Sequence, residues 1–279
     1  MKKISRRSFL AAAGLSVAAL ALTACGGSSA STASSVASSA ASSEAASTSA
    51  SAGELTTVEA GKLTMATNAA FPPYEMTTDA GEFEGIDIET AQAIADKLGL
   101  ELQIDDMDFD AALLSVQQGK ADIVMAGVTV TDERKAVMDC SDSYATGIQS
   151  IIVPEGSDIA SPDDLAGKKI GTQRGTTGYI YCSDDFGDDS VVAYDDGLTA
   201  VQALNNGQVD AVVIDNAPAK EFVAANPGLV ILDTSYAEED YAIGMAKGSS
   251  LEDAVNAALK ELKADGTLQS IVDKYITAE

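Results

Sequence analysis

The chain has 279 residues, of which 43 are acidic and 17 are basic, so its formal net charge is −26 at pH 7, and it contains no histidine. The acidic excess argues against nucleic acid and against an anionic membrane surface as partners, because both would repel it. The lack of histidine excludes Ser-His-Asp and Cys-His catalysis and zinc-site chemistry. We therefore expect neither a metal ion nor a cofactor.

Residues 1–24 have the pattern of a signal peptide. Four basic residues precede an apolar run, residues 9–24, that is too short to be an ordinary membrane span. Leu22-Thr23-Ala24-Cys25 resembles a lipobox, which predicts cleavage before Cys25 and diacylglycerol on its sulfur; a free cysteine after a hydrophobic leader is the alternative. Arg6-Arg7 also resembles a twin-arginine signal, so the export route stays open. A lipid-modified Cys25 would hold the protein on the outer face of the cytoplasmic membrane.

Residues 25–57, beginning with the lipid-modified cysteine, are predicted to be a disordered linker. Residues 26–53 are almost all Ser, Ala, Thr and Gly, with Glu44 as the one charged residue. Such a segment has too little apolar surface to offset its chain entropy. A tether of this length would lift a domain tens of Å from the membrane. That reach fits an extracellular position in a Gram-positive-type envelope better than a narrow periplasm.

From residue 58 onward, strand and helix patterns alternate. The helix over 86–98 has apolar residues on one side and Gly99 as a stop signal beyond it. A short buried strand covers 123–125, and Thr131 before two acidic residues marks the start of another helix. Further strands are predicted over 63–67 and 100–104, a loop over 68–74 and a helix over 111–118.

A second series of strands and helices begins with a longer apolar strand over 148–153. Ser161-Pro162 starts a short helix, because it supplies a cap residue and a proline at the first turn. Residues 175–178 form a loop at the start of the next helix. The remaining strands are predicted over 169–172, 191–194, 211–214, 229–232 and 241–245, and the remaining helices over 199–204, 216–225, 251–264 and 268–276.

The two series resemble each other. Gly-Lys-Ala-Asp-Ile-Val over 119–124 and Gly-Gln-Val-Asp-Ala-Val-Val over 207–213 each join a helix to a strand. Alternating strands and helices favour doubly wound α/β sheets, and ligands of such sheets bind beyond the carboxyl ends of the strands. Four polar or small residues fall at such predicted strand ends: Asn68, Gly127, Gln173 and Asp215.

Arg134 is the first candidate for a binding residue. It lies in the first turn of a helix, near the positive end of the helix dipole, where a cation is not favoured. A planar fork of donors beside a Gly-Val-Thr turn would suit a carboxylate. The alternative is a surface arginine paired with Asp132 or Glu133.

The segment over 126–144, AGVTVTDERKAVMDCSDSY, resembles the signature of the family-3 solute-binding proteins, the polar amino acid receptors of ABC importers. The resemblance extends from about residue 62 to residue 276. It implies a two-lobe, type II periplasmic-binding-protein fold with doubly wound sheets and a hinge of two chain crossings. Lobe 1 would hold 58–145 plus 243–279, and lobe 2 would hold 146–242. The expected protein is a monomeric receptor that binds a free amino acid and delivers it to the permease subunits of the transporter.

The same resemblance implies the roles of individual residues. Arg134 would bind the α-carboxylate with Thr129 and the N–H of Thr177. Asp215 would bind the α-ammonium with the carbonyl of Gly127 and the hydroxyl of Thr129. Phe71 and Phe109 would flank the ligand side chain. The implied ligand-binding set is Asn68, Phe71, Phe109, Gly127, Thr129, Arg134, Gln173, Thr177 and Asp215.

Several of these residues have a structural alternative. Asp215 could cap the helix that follows it, and both phenylalanines could belong to the core. Asp105, Asp106, Asp108 and Asp110 lack the glycine and distal glutamate of an EF-hand, so we interpret them as a solvated strand end with a helix cap. Cys140 and Cys182 are interpreted as small buried hydrophobic residues.

Departures from the family pattern bear on specificity. Many relatives have an acid at the position of Asn68, so its neutral amide weakens the case for lysine or arginine. Ile214 is apolar where some glutamine receptors have histidine, and Arg174 could attract an acidic side chain or face solvent. We favour a polar neutral amino acid. Two other functions are considered: a sensory module that signals to a separate membrane partner, and a dehydratase that acts on prephenate-like substrates, for which no proton donor near Asn68 is evident.

Overall fold

The computed structural model describes residues 55–276. The predicted signal peptide, Cys25 and the linker up to residue 54 lie outside the described residues, as do 277–279. Within the described range no helix is both long enough and apolar enough to span a membrane.

The first part of this range alternates strands and helices, as predicted. Its elements are β1 (Lys62–Thr67), β2 (Ala70–Phe71), β3 (Glu75–Thr77), β4 (Phe83–Glu84), α1 (Ile86–Leu98), β5 (Glu101–Asp106), α2 (Phe109–Gln117), β6 (Ile123–Val124), α3 (Asp132–Val137) and β7 (Met138–Cys140).

The second part begins with the longest strand of the described chain. Its elements are β8 (Ala145–Pro154), a 3-10 turn (Pro162–Leu165), β9 (Ile170–Gln173), α4 (Thr177–Phe186), a second 3-10 turn (Asp188–Ser190), β10 (Val191–Tyr194), α5 (Gly197–Asn205), β11 (Ala211–Asp215), α6 (Asn216–Ala225), β12 (Leu229–Ile231), β13 (Ala237–Tyr241), β14 (Gly244–Ala246), α7 (Glu252–Ala264) and α8 (Thr267–Tyr275).

Two mixed sheets carry the fold. The first has five strands in the order β5-β1-β6-β14-β7, with β1 parallel to β5 and β6 and with β14 antiparallel to its neighbours. The second has six strands, ordered β10-β9-β11-β8-β12, and β13 also pairs with β8. The chain leaves the first sheet after β7, builds the second from β8 to β13, and returns to the first with β14. A third, small sheet has the order β2-β3-β4.

Helix α1 has the predicted bounds because its apolar residues and the glycine that follows it mark the same segment. Ile86 and Ile94 are fully buried in the cluster that contains Leu63 and Met65 of β1. Gly99 follows the helix in the left-handed conformation, with φ of 69°, and its N–H donates to carbonyls of the last turn. Helices α7 and α8 pack against the same helix.

The predicted strand over 241–245 is wrong. Tyr241 ends β13, where it pairs with Ala145 of the second sheet, and Gly244 begins β14, where it pairs with Val124 of the first. One apolar run therefore contains a crossing between sheets, which a hydrophobic pattern does not reveal. The pattern also missed β2 to β4 and β7, which are at most three residues long.

Cys140 and Cys182, the two cysteines within residues 55–276, are free. Cys182 is fully buried on α4, as expected of a small hydrophobic residue. Cys140 is only half-buried at the end of β7, so the expectation of a buried side chain is wrong for that residue.

Candidate functional site

The strand ends of both sheets meet at one cavity. Asn68 follows β1 and Gly127 follows β6, while Gln173 and Asp215 end β9 and β11. The cavity, part of which is open to solvent, has an empty volume of about 300 Å³. It is lined by all nine residues of the predicted set together with Glu75, Ala126 and Thr176.

Arg134 is held inside the protein, and no acidic side chain among residues 55–276 forms a salt bridge with it. The Thr131 hydroxyl caps α3 by accepting the N–H of Arg134 at 3.2 Å, and only 7% of Arg134 is exposed. Its Nη1 donates to the carbonyl of Thr129 at 2.8 Å and its Nη2 to that of Gly175 at 3.2 Å. The guanidinium carbon lies 5.3 Å from the centre of the Phe109 ring. The alternative of a surface arginine paired with Asp132 or Glu133 is therefore wrong.

Burial lowers the pKa of Arg134, whereas the nearby charge of Glu239 raises it. A guanidinium stays protonated under such shifts, so the cavity contains a fixed positive charge. Its two bonds to carbonyls leave further N–H donors of the five available.

Asp215 is the buried anion of the cavity. Its Oδ2 accepts a hydrogen bond from Gln149 Nε2 at 2.8 Å. The side chain makes no capping bond to α6, so the alternative of a helix cap is wrong. Burial raises the pKa of Asp215 to about 7, the charge of Glu239 adds to this shift, and the Tyr241 hydroxyl and the Gln149 amide oppose it.

Residues of the two sheets contact one another across the cavity. Gln173 Nε2 donates to Asn68 Oδ1 at 2.8 Å, and Asn68 Nδ2 donates to the carbonyl of Met107 at 2.9 Å. The hydroxyls of Thr129 and Thr177 lie 3.4 Å apart. Parts of the chain that are distant in sequence therefore share this site.

The sequence did not point to a pair of fully buried carboxyls beside the cavity, Glu75 and Asp87. Asp87 Oδ2 accepts from the N–H of Gly127 at 3.0 Å and from the Tyr144 hydroxyl at 2.8 Å. Burial raises the pKa of Asp87 to about 6, and burial together with the charge of Asp87 raises the pKa of Glu75 well above its usual range. Burial therefore favours the neutral form of Glu75, which lines the cavity.

A second group that the sequence did not reveal joins β8 to β13. Gln149 donates to Asp215 and also to Glu239 Oε2, at 3.0 Å, and Glu239 accepts from the Thr129 hydroxyl at 3.0 Å. Gln149 lies in an apolar strand pattern and Glu239 in a strand that the pattern missed. Gly147 of β8 makes room for Tyr241 and Asp215, because a Cβ at this position would overlap the Tyr241 hydroxyl and Asp215 Oδ1.

Among the four aspartates of the predicted solvated strand end, some have a structural role and others have none. Asp106, Asp108 and Asp110 are exposed, and Asp106 accepts the N–H of Ala69 at 2.8 Å. Asp108 occupies the N-cap position of α2, but its side chain makes no capping bond. Within residues 55–276 no group of three or more acidic or cysteine side chains could hold a metal ion.

A cavity between the strand ends of two α/β sheets, which are joined by two chain crossings, defines a two-lobe solute receptor. The sequence model of the bacterial extracellular solute-binding proteins, family 3, matches residues 63–278. The chain belongs to this family of extracytoplasmic binding proteins, and the inferred resemblance and fold class are confirmed.

Individual relatives support the same class. The chain is 33% identical over 226 residues to the L-cystine-binding protein TcyJ of Escherichia coli (strain K12), covering 79% of this chain and 85% of that protein. It is 33% identical over 230 residues to the arginine-binding extracellular protein ArtP of Bacillus subtilis (strain 168), covering 78% and 87%.

Solved structures agree with the sequence relatives. The arginine-, lysine-, histidine-binding protein ArtJ from the thermophilic bacterium Geobacillus stearothermophilus has a TM-score of 0.75 at 34% identity, covering 78% of this chain and 96% of that one. An ancestral arginine-binding protein bound to glutamine has a TM-score of 0.75 at 41% identity, covering 78% and 99%. Because these relatives are binding proteins, the expectation that the chain is not an enzyme is confirmed. The expectation that no proton donor lies near Asn68 is wrong, because the carboxyl of Glu75 lines the same cavity.

Proposed function

We propose that this protein is an extracytoplasmic receptor that binds one free amino acid between its lobes and delivers it to an ABC importer. The observation that carries the proposal is a buried cation and a buried anion, Arg134 and Asp215, on the lining of one cavity. An α-amino acid carries a carboxylate that can pair with Arg134 and an ammonium that can pair with Asp215. The names of the relatives, which bind cystine or arginine, support the same class of ligand.

Each end of the ligand has a matching set of groups. The α-carboxylate would bind the remaining guanidinium donors of Arg134 and the N–H of Thr177, which is the first residue of α4. The Thr129 hydroxyl would donate to the carboxylate in place of Glu239, which accepts its single hydrogen in the structure. The α-ammonium would bind Asp215, with the carbonyl of Gly127 and the Thr129 hydroxyl as further acceptors. All of these residues line the cavity.

For the ligand side chain we propose a polar, neutral group. Asn68 and Gln173 supply amides, and Phe71 and Phe109 supply ring faces. Apart from the two groups that bind the ligand backbone, the ionisable residue of this lining is Glu75, and burial raises its pKa, which favours its neutral form. A neutral site favours a neutral side chain, because a charged one would be buried without a partner.

A basic amino acid is the second candidate, because relatives bind arginine and because an ionised Glu75 could pair with a cation. The variant Glu75→Gln separates the two candidates. Binding of a neutral amino acid would survive this change, whereas binding of arginine or lysine through Glu75 would be lost.

The division into lobes and the attachment to the membrane are also proposed. The boundaries given above, 58–145 plus 243–279 and 146–242, agree with the strands that each sheet contains. The signal peptide and the lipid anchor on Cys25 rest on the sequence pattern of residues 1–25. A lipid anchor would keep the receptor close to the permease subunits. A sensory role would use the same ligand binding with a different membrane partner.

A thermal-shift screen of residues 54–279 against the free amino acids tests the receptor function. A ligand at a hundred times its dissociation constant stabilises a fold by about 2.7 kcal/mol, which raises the melting temperature by several degrees. A clear shift with one or two amino acids would support the receptor function and identify the ligand. No shift with any of them would contradict it.

A further inference from the structure

Gln149 joins two buried carboxylates through a single amide group. It is 2% exposed, and its Nε2 donates to Asp215 Oδ2 at 2.8 Å and to Glu239 Oε2 at 3.0 Å. A primary amide has two N–H bonds, so both are in use. The amide N–H groups of Gln149 therefore lie between the two carboxylates and reduce the repulsion between their negative charges.

The orientation of the amide is fixed by its surroundings. If the amide were rotated by half a turn, its oxygen would face both carboxylates, which is electrostatically unfavourable. Its Oε1 lies instead towards α4, where a Cβ at Gly178 would be only 2.8 Å away. The lack of a side chain at Gly178 is what makes this orientation possible.

The bridge decides which oxygen of Asp215 is left for another partner. Asp215 Oδ1 is buried, and the protein group beside it is the hydroxyl of Tyr241, which lowers the pKa of Asp215. A carboxylate oxygen can accept two hydrogen bonds, so Oδ1 can accept from the Tyr241 hydroxyl and still accept from a donor in the cavity that Asp215 lines. A cationic donor in the cavity would offset part of the cost of burying this carboxylate.

The same bridge connects the two ends of the site. Glu239 Oε2 also accepts from the Thr129 hydroxyl at 3.0 Å, and the carbonyl of Thr129 accepts from Arg134 at 2.8 Å. One chain of hydrogen bonds therefore extends from Arg134 through Thr129, Glu239 and Gln149 to Asp215. The distance between the cation and the anion of the site is set by this chain.

We propose that Gln149 is a positioning residue of the amino acid site, which holds Asp215 so that Oδ1 is presented to the α-ammonium of the ligand. This inference rests on the proposed function, since it assigns Asp215 to the ammonium. The residue itself does not have to touch the ligand. Its effect should therefore depend on whether the ligand carries an ammonium group.

The test uses the purified mature protein and the variant Gln149→Met, which keeps the length of the side chain but removes both N–H donors. Ser150→Ala is the control, because Ser150 is equally buried on the same strand and its hydroxyl accepts from Asn216. Affinity is measured by calorimetry for the amino acid found in the screen and for its deaminated analogue, which has the same carboxylate and side chain. Thermal melting without ligand monitors the fold.

We expect Gln149→Met to weaken binding of the amino acid at least about tenfold, as for a lost hydrogen bond to a charged group. Binding of the deaminated analogue and binding by Ser150→Ala should stay within about twofold of the parent protein. A Gln149→Met variant that binds the amino acid as tightly as the parent would overturn the inference, as would an equal loss for both ligands.

If the analogue binds too weakly to measure, the pH dependence of amino acid binding tests whether Gln149 positions Asp215. Loss of the amide donor raises the pKa of Asp215, so the pH at which binding of the amino acid is half-maximal should move upwards in Gln149→Met. An unchanged midpoint would refute the positioning role. A parent protein that binds no amino acid would instead refute the proposed function itself. The other ionisable groups that interact with Asp215 are unchanged in the variant: Arg134, Glu239, Tyr241, Tyr74 and Glu75.

Discussion

At the scale of single residues, Arg134 makes the clearest prediction. We expect Arg134→Ala to weaken amino acid binding by about 2–5 kcal/mol, because the ligand carboxylate would be buried without its partner. Calorimetric titration measures the change. Arg174→Ala is the matched control, since Arg174 follows the cavity residue Gln173 but is exposed and faces Asp195 at 3.6 Å. Equal affinities for both variants would show that Arg134 does not bind the carboxylate.

Asp215 makes a prediction about pH. Its raised pKa of about 7 means that the ligand-free protein holds a proton there under mildly acidic conditions. The ligand ammonium pairs with the ionised form, so binding must release this proton below about pH 7. Affinity should therefore rise by up to about tenfold per pH unit between about pH 5 and 7, and level off above.

Calorimetry at several pH values tests this, and comparison with Asp215→Asn separates the titration of Asp215 from that of Asp87, whose pKa is raised to about 6. Asp215→Asn should bind weakly at every pH and lose the rise. If the parent protein shows the same affinity at pH 5 and pH 8, the ammonium role of Asp215 is refuted.

At the scale of elements, the N-terminal cap of the short helix α3 positions Arg134. It has six residues, so its few intrahelical bonds depend on the cap from Thr131. We expect Thr131→Ala to cost about 1 kcal/mol of unfolding free energy, measured by urea denaturation, and to weaken ligand binding as well. Thr131→Ser keeps the hydroxyl and should restore both. If Thr131→Ser were as destabilised as Thr131→Ala, the cap would not be the cause.

The same scale shows how far the sequence could predict the fold. Helices α1 and α6 have their predicted bounds. For α1 the apolar spacing and Gly99 beyond its end mark the segment, whereas the residue at the N-cap position of α6, Asp215, makes no capping bond. Strand β13 was missed because its sequence, AEEDY, places acids where a strand pattern expects apolar residues. Glu239 is buried there only because Thr129 and Gln149 approach it from other elements.

For the site, the sequence alone located strand ends, and the family resemblance named nine residues that do line one cavity. It could not find Glu75, Asp87, Gln149 or Glu239, since none of them belongs to a recognisable motif. Their importance comes from burial and from partners that are distant in the chain. Only the folded structure brings Asp87 to the N–H of Gly127, or Gln149 to Asp215.

At the scale of the whole molecule, the proposed ligand should join the lobes. Arg134 precedes β7 of the first sheet, and Asp215 ends β11 of the second. Each end of an amino acid would then contact a different lobe, so closure is favoured by a ligand that has both charges. We expect the amino acid to reduce the radius of gyration in small-angle X-ray scattering.

The deaminated analogue, which meets only Arg134, should reduce it less, and Asp215→Asn should show little change with either ligand. An analogue that compacts the parent protein as fully as the amino acid would mean that the ammonium does not contribute to closure.

Gly147 bears on the genetics of the protein. Every single-nucleotide missense change of a glycine codon adds a side chain, and at this codon the side chain would occupy the place of the Tyr241 hydroxyl and Asp215 Oδ1. In a growth selection for loss of amino acid uptake, mutations should therefore map to Gly147 as well as to the residues that hold the ligand. Gly147 would then be essential for amino acid uptake although it has no side chain that could contact the ligand.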